Sequence, residues 1–157
     1  MEFLSWLETT AIANAIRASI WMYPALESAH YIGLAMLVGS IAIMDLRLLG
    51  IAKALPIKPV MALVPFAWTG FAINAVTGSM IFIYNATSFG PDRVFRLKMS
   101  LIVLAGINTF IFQIAASRAN VQWVATGAVP LSIKSVAAAS LLLWIAVVTA
   151  GRWMAYV

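Results

Sequence analysis

The sequence predicts an all-α fold, an integral-membrane four-helix up-down bundle preceded by an amphipathic helix in the membrane interface. Three observations carry that expectation. Of 157 residues, 64% are hydrophobic and only 10% charged, whereas a water-soluble domain carries about 25% charged residues. So little charge does not cover a water-facing surface. Four apolar stretches each reach the roughly 20 residues that a helix needs to cross the hydrocarbon. Their connections are mostly short, which implies antiparallel neighbours within a single transmembrane domain, 1–157.

The elements follow in order. Over residues 3–18, Phe3, Leu7 and Ile16, with Trp6 nearby, form an apolar stripe that Glu8, Asn14 and Arg17 interrupt. That is the pattern of a helix lying in the interface. Glu2 and Glu8 stand where a cleavable signal would be positive, so no signal peptide is expected. Trp21 and Tyr23 are interfacial aromatics, and Pro24 suits the first turn of a helix.

Span 1 covers about 24–49 and closes on Asp45-Leu46-Arg47. Those two charges are expected to pair with each other or with a neighbouring helix. The stretch from Ala52 to Pro59, with Lys53, Pro56 and Lys58, reads as a loop. Span 2 covers about 60–84, with Pro65 in its first turns and Asn74 and Thr77 further on. Asn85 to Asp92, with Gly90-Pro91, reads as a loop, and span 3 covers about 94–116. Arg118 to Leu131, with Trp123, Gly127 and Pro130, is the longest connection, and span 4 covers about 133–155. Gly33, Gly39, Gly70, Gly78 and Gly106 are expected to let helices approach closely, and Asn74 and Asn108 to bond across helices.

An even number of spans puts both termini on one side. Arg17, Arg93, Arg96, Lys98 and Arg152 on that side balance Arg47, Lys53, Lys58, Arg118 and Lys134 on the other. The tight Arg47-Lys53-Lys58 group favours the cytoplasm for its own side. The net charge of +5 is that of residues flanking apolar runs, which anionic headgroups explain without nucleic acid. Absence of cysteine excludes disulfides, thiolate metal sites, iron–sulfur clusters and thiol catalysis. No G-x-S-x-G elbow and no phosphate-cradling loop occurs, so hydrolytic catalysis is not expected.

The only histidine, His30, stands three residues after Glu27. Residues i and i+3 share a helix face, so the pair is expected to address one object just inside the membrane. Ionisable residues there mark functional sites. Met80, Met99 and Met154, with Arg17, Arg96 and Lys98, fall at similar depth on antiparallel spans. Three readings compete. In the first, haem b takes His30 as axial ligand and Met80 or Met99 as the second. Arg17, Arg96 or Lys98 meet the propionates, and electrons pass to or from quinone or a partner. In the second, Glu27 and His30 hold copper or iron in a homo-oligomer, because one chain supplies too few ligands for a di-metal centre. In the third there is no cofactor, and the chain is an oligomeric scaffold or accessory subunit. Small-solute transport is a further alternative.

Glu27-x-x-His30-x-x-Gly33, then Gly39 and Asp45-Leu46-Arg47-Leu48-Leu49-Gly50, with Lys98, Asn108 and Gly151-Arg152, resembles a family of small, uncharacterised bacterial inner-membrane proteins. In layout the chain is more distantly similar to copper-resistance D-type membrane proteins and membrane b-type cytochromes. The resemblance implies a four-helix bundle in the bacterial cytoplasmic membrane and supplies no activity. Some relatives are expected to carry His where Gln113 stands, at the end remote from His30.

Overall fold

The computed structural model describes residues 1–118, 128–154 and 156, with backbone alone for 116–118. The described residues form helices α1 (Glu2–Glu8), α2 (Ala11–Ala18), α3 (Met22–Leu49), α4 (Ile57–Met61), α5 (Val64–Tyr84), α6 (Ala86–Phe89), α7 (Arg93–Arg118) and α8 (Leu131–Trp153). Four stretches, Met22–Leu49, Ile57–Tyr84, Arg93–Ala115 and Leu131–Trp153, are long and apolar enough to cross a membrane. The chain is thus an all-helical, multi-pass membrane bundle. Most of the expected Arg118–Leu131 loop, Trp123 and Gly127 included, lies outside the described residues.

Local chemistry explains the boundaries. Pro24 falls in the first turn of α3, where its missing N–H would have had no partner. Gly50 ends that helix at φ +87, a left-handed conformation that favours glycine. The N–H groups of Ile51 and Ala52 then cap the Leu46 carbonyl. Pro65 has no N–H to offer Met61, and the second span breaks at Ala62–Leu63 between α4 and α5.

Three expectations need correction. The interfacial helix expected over 3–18 is two helices. The Thr9 and Thr10 hydroxyls donate to Trp6 O and Leu7 O at 2.7 Å each, and Thr10 turns to extended backbone with ψ 159. Such hydroxyl bonds compete with the helix ladder. The stretch expected to be a loop over 85–92 holds α6, and the 52–59 loop is cut short by α4 at Ile57.

Packing divides the bundle into two pairs, α3 with α5 and α7 with α8, joined through α3 and α8. The α3–α5 crossing is backbone on backbone. A Cβ at Gly70 would lie 2.6 Å from both Gly33 O and Leu37 N, closer than any side chain tolerates. Gly33 fits against Ile73 and Asn74, whereas Gly39 and Gly106 face open space. Asn108 does bond across helices, donating to Val136 O of α8 at 3.1 Å. Asn74 instead donates to Gly70 O of its own helix at 3.0 Å.

α1 and α2 lie across the terminal end, against α5 and α6. Ile16 is 2% exposed, and burying such a side chain stabilises the docking by about 1.5–3 kcal/mol. Glu8 Oε1 accepts from both the N–H and the hydroxyl of Thr87 at 2.7 Å. Here α5 and α7 also meet, Phe82 stacking on Phe95 with centroids 5.1 Å apart. Away from that end the two helices hardly touch.

Candidate functional site

The polar residues singled out in the sequence gather only in part. His30, half-buried on α3, faces α5, where its Nδ1 lies 2.9 Å from Thr77 Oγ1. Thr77 spends its one hydroxyl proton on Ile73 O at 2.7 Å. In the neutral ring Nδ1 must therefore donate, and Nε2 carries the lone pair. Gly78 leaves room for the ring, since a Cβ there would meet His30 Cε1 at 3.3 Å. Lys98 of α7 lies along Gly151 of α8, near enough to His30 to act on it electrostatically.

Glu27 is not the partner of His30. Its carboxylate bonds to the hydroxyl of Tyr23, one turn earlier on α3. Arg17 donates to Glu8 O and, at 3.1 Å, to Tyr84 O. It also pairs with Glu8 Oε2 at 3.6 Å. Arg96 donates to Pro91 O at 3.2 Å. Met80 is half-buried one turn along α5 from Thr77, and Met99 is 44% exposed on α7. No group of three or more His, Asp or Glu side chains suited to a metal ion occurs among the described residues.

Outside the bundle core, the local geometry acts on the carboxyl of Glu8. The hydrogen bonds from the Thr87 N–H and hydroxyl, with the Arg17 charge, hold it below its ordinary value.

The other end of the bundle holds what the sequence did not advertise. Where α5 and α7 part, a cavity of about 730 Å³ opens among α3, α4, α5, α7 and α8. Trp68, Phe71 and Phe110 line its mouth, and Trp144 its floor. Gly106 borders it with nothing within 4 Å of where a Cβ would stand. Asp45 also lines it and is only 6% exposed. It lies fifteen residues beyond His30, or about 22 Å along the helix. The Ser140 hydroxyl of α8 bonds to its carboxyl, while Oδ2 is buried with no hydrogen-bond partner.

Asp45 and Arg47 do not pair. Arg47 turns away and donates through Nε to Leu55 O, and among the described residues no ion pair includes Asp45. Helix geometry held the clue, because residues two apart point to different sides. Nothing comparable in the sequence marked Thr77 as the partner of His30.

No curated protein and no solved structure matches the chain. Residues 3–157 match DUF6644, a span that runs from α1 to the end of the chain and takes in both ends of the bundle. The chain belongs to this family, which is described as a family of unknown function.

Proposed function

We propose that the protein binds a lipid-soluble small molecule inside the membrane, in the cleft between α5 and α7. The observation that carries this reading is the cavity of about 730 Å³. Small-molecule sites span about 300–1,000 Å³, are mostly apolar and carry a few placed polar groups. This one has aromatic and aliphatic walls with Asp45, Asn108 and Ser140 among them. A cleft between two helices long enough to span the bilayer would open sideways to lipid, and a ligand dissolved there would enter without crossing water. The resemblance to small bacterial inner-membrane proteins supports the bacterial cytoplasmic membrane as its location. Quinones are among the lipid-soluble molecules of that membrane.

The test uses a brominated hydrocarbon that quenches tryptophan, added to protein in bilayer nanodiscs. Trp68 and Trp144 both line the cavity, so occupancy gives saturable quenching. Gly106→Leu, which puts a side chain into open space at the wall, is expected to abolish the saturable part. Linear, unsaturable quenching in both proteins would refute the reading.

A second reading, haem b or a copper or iron ion held by His30, is favoured by one observation. The Nδ1–H of His30 is committed to Thr77, and metal-bound imidazoles orient themselves by donating their other N–H in this way. Met80, one turn along α5 from Thr77, is a candidate for a second ligand, and Lys98 is a cation close enough to act on the ring. Bound haem would supply one-electron chemistry. Visible spectra of oxidised and dithionite-reduced protein, beside His30→Ala, test it. A Soret band lost in the variant supports the haem reading, and a colourless wild type from haem-replete cells removes it.

A further inference from the structure

The cleft contains a chemical clue to its occupant. Asp45 Oδ2 lines an apolar cavity, is buried, and has no hydrogen-bond partner. Buried polar groups are nearly always satisfied, and an exception calls for an explanation. Among the described residues no lysine or arginine lines the cavity, and Arg47 is committed to Leu55 O. A buried carboxylate is tolerated when an opposite charge accompanies it. Among the described residues the cavity lining supplies none, so the carboxylate form of Asp45 would take its counter-charge from a ligand.

The walls agree with that requirement. Trp68, Phe71, Phe110 and Trp144 surround the space, and aromatic faces attract cations through their ring quadrupoles. A neutral hydrocarbon would fill the volume and leave Oδ2 as it was, while an anion would meet Asp45 as a like charge. Access from the bilayer requires that the ligand's remaining surface be apolar.

We propose that the cavity takes a lipophilic cation, an amine or onium ion with apolar substituents, whose charge sits against Asp45 and the aromatic walls. This rests on the reading of the cleft as a small-molecule site and specifies the class of ligand it takes. The ligand's positive centre replaces the missing partner of Oδ2, and its substituents occupy the space between α5 and α7.

The test is equilibrium dialysis of the full chain in zwitterionic-lipid nanodiscs, with empty nanodiscs subtracting partition into lipid. The probes are tetraphenylphosphonium and the uncharged triphenylmethane. Wild-type protein is expected to bind one phosphonium per chain, at least tenfold tighter than triphenylmethane. Asp45→Asn should weaken phosphonium binding at least tenfold and leave triphenylmethane unchanged, with circular dichroism and gel filtration reporting an intact fold. Asp45→Glu should keep phosphonium binding within a few-fold, and Gly106→Leu should weaken both probes. Equal phosphonium affinity in wild type and Asp45→Asn, with both probes still lost in Gly106→Leu, overturns the cation proposal and leaves the cavity reading standing. No saturable binding of either probe above empty nanodiscs overturns both. Among the ways that happens, a stable dimer would assign the cleft to a second copy of the chain.

Discussion

The two ends of this bundle differ in how their polar groups are accommodated. At the terminal end α5 and α7 converge through Phe82 and Phe95, and His30, Glu8 and Arg17 have partners within the chain. His30 has Thr77, Glu8 has Thr87 and Arg17, and Arg17 has Tyr84. At the far end α5 and α7 separate, a cavity of about 730 Å³ opens, and Asp45 keeps one buried oxygen without a partner. The conspicuous chemistry of the sequence, its single histidine with a nearby carboxylate, lies at the closed end. The space for a ligand lies at the other. Asn74 Oδ1, at the α3–α5 crossing and off the cavity wall, is also buried without a partner, so Asp45 is set apart by its place on the wall of an open space.

Equivalent changes at the two kinds of helix face should therefore have opposite signs. Gly70→Ala places a methyl 2.6 Å from the backbone of α3 and is expected to cost about 1–3 kcal/mol through overpacking. Gly106→Ala meets open space and should gain about 0.5–1 kcal/mol, because alanine favours the helix. Thermal unfolding in detergent, followed by far-ultraviolet circular dichroism, reads both. Equal shifts would mean that the α3–α5 crossing is not as tight as its geometry.

The unmet oxygen makes a second contrast. Asp45→Leu, close to isosteric, removes a buried acceptor whose loss of solvation costs about 1–3 kcal/mol. It should raise the midpoint of the ligand-free protein by the equivalent of about 1 kcal/mol. A lower midpoint would show that the bond to Ser140 outweighs the orphaned oxygen.

At the closed end, Thr77→Val removes the acceptor of His30 Nδ1–H and should cost about 0.5–1.5 kcal/mol. The protein has one histidine, so nitrogen NMR of the imidazole needs no assignment. The wild-type ring should be held as the Nδ1–H tautomer and the variant should be a mixture. A mixture already present in the wild type would dissolve the argument for a free Nε2.

The smallest effect concerns the interfacial helices. The carboxyl of Glu8 is held below its ordinary value of 4.5, so its bonds to Thr87 contribute fully above that pH. The contribution fades as pH falls through the lowered folded-state value. Amide exchange of α1 should accelerate at the acid end in wild type, and Glu8→Gln should flatten that dependence. An unchanged profile in the variant would detach the carboxyl from the docking.

Much of the frame was legible beforehand, and the failures have identifiable causes. The four spans, Pro24 in the first turn of α3 and a helix end at Leu49 follow from hydropathy and from residues that act on their own backbone. The split at Thr9–Thr10 was missed because two threonines fit an amphipathic pattern as readily as they break it. Glu27 and His30 were expected to address one object because they share a helix face, and in the structure Glu27 bonds to Tyr23 and His30 to Thr77. Gly39 and Gly106 look like Gly33 and Gly70 in the sequence, but only the latter two stand at a crossing.

What the sequence by itself determined is the all-helical, membrane-spanning character of the chain. Transfer of a helix into hydrocarbon is governed by a sum over its own residues, and a sum over neighbours in sequence needs no fold. The tertiary structure alone decided which end of the bundle closes, which carboxylate is left unpaired, and where a ligand has room. Those outcomes depend on distances between helices, set by glycines at one crossing and by stacked rings at one end. Such contacts join residues far apart in the chain and leave no local mark on it.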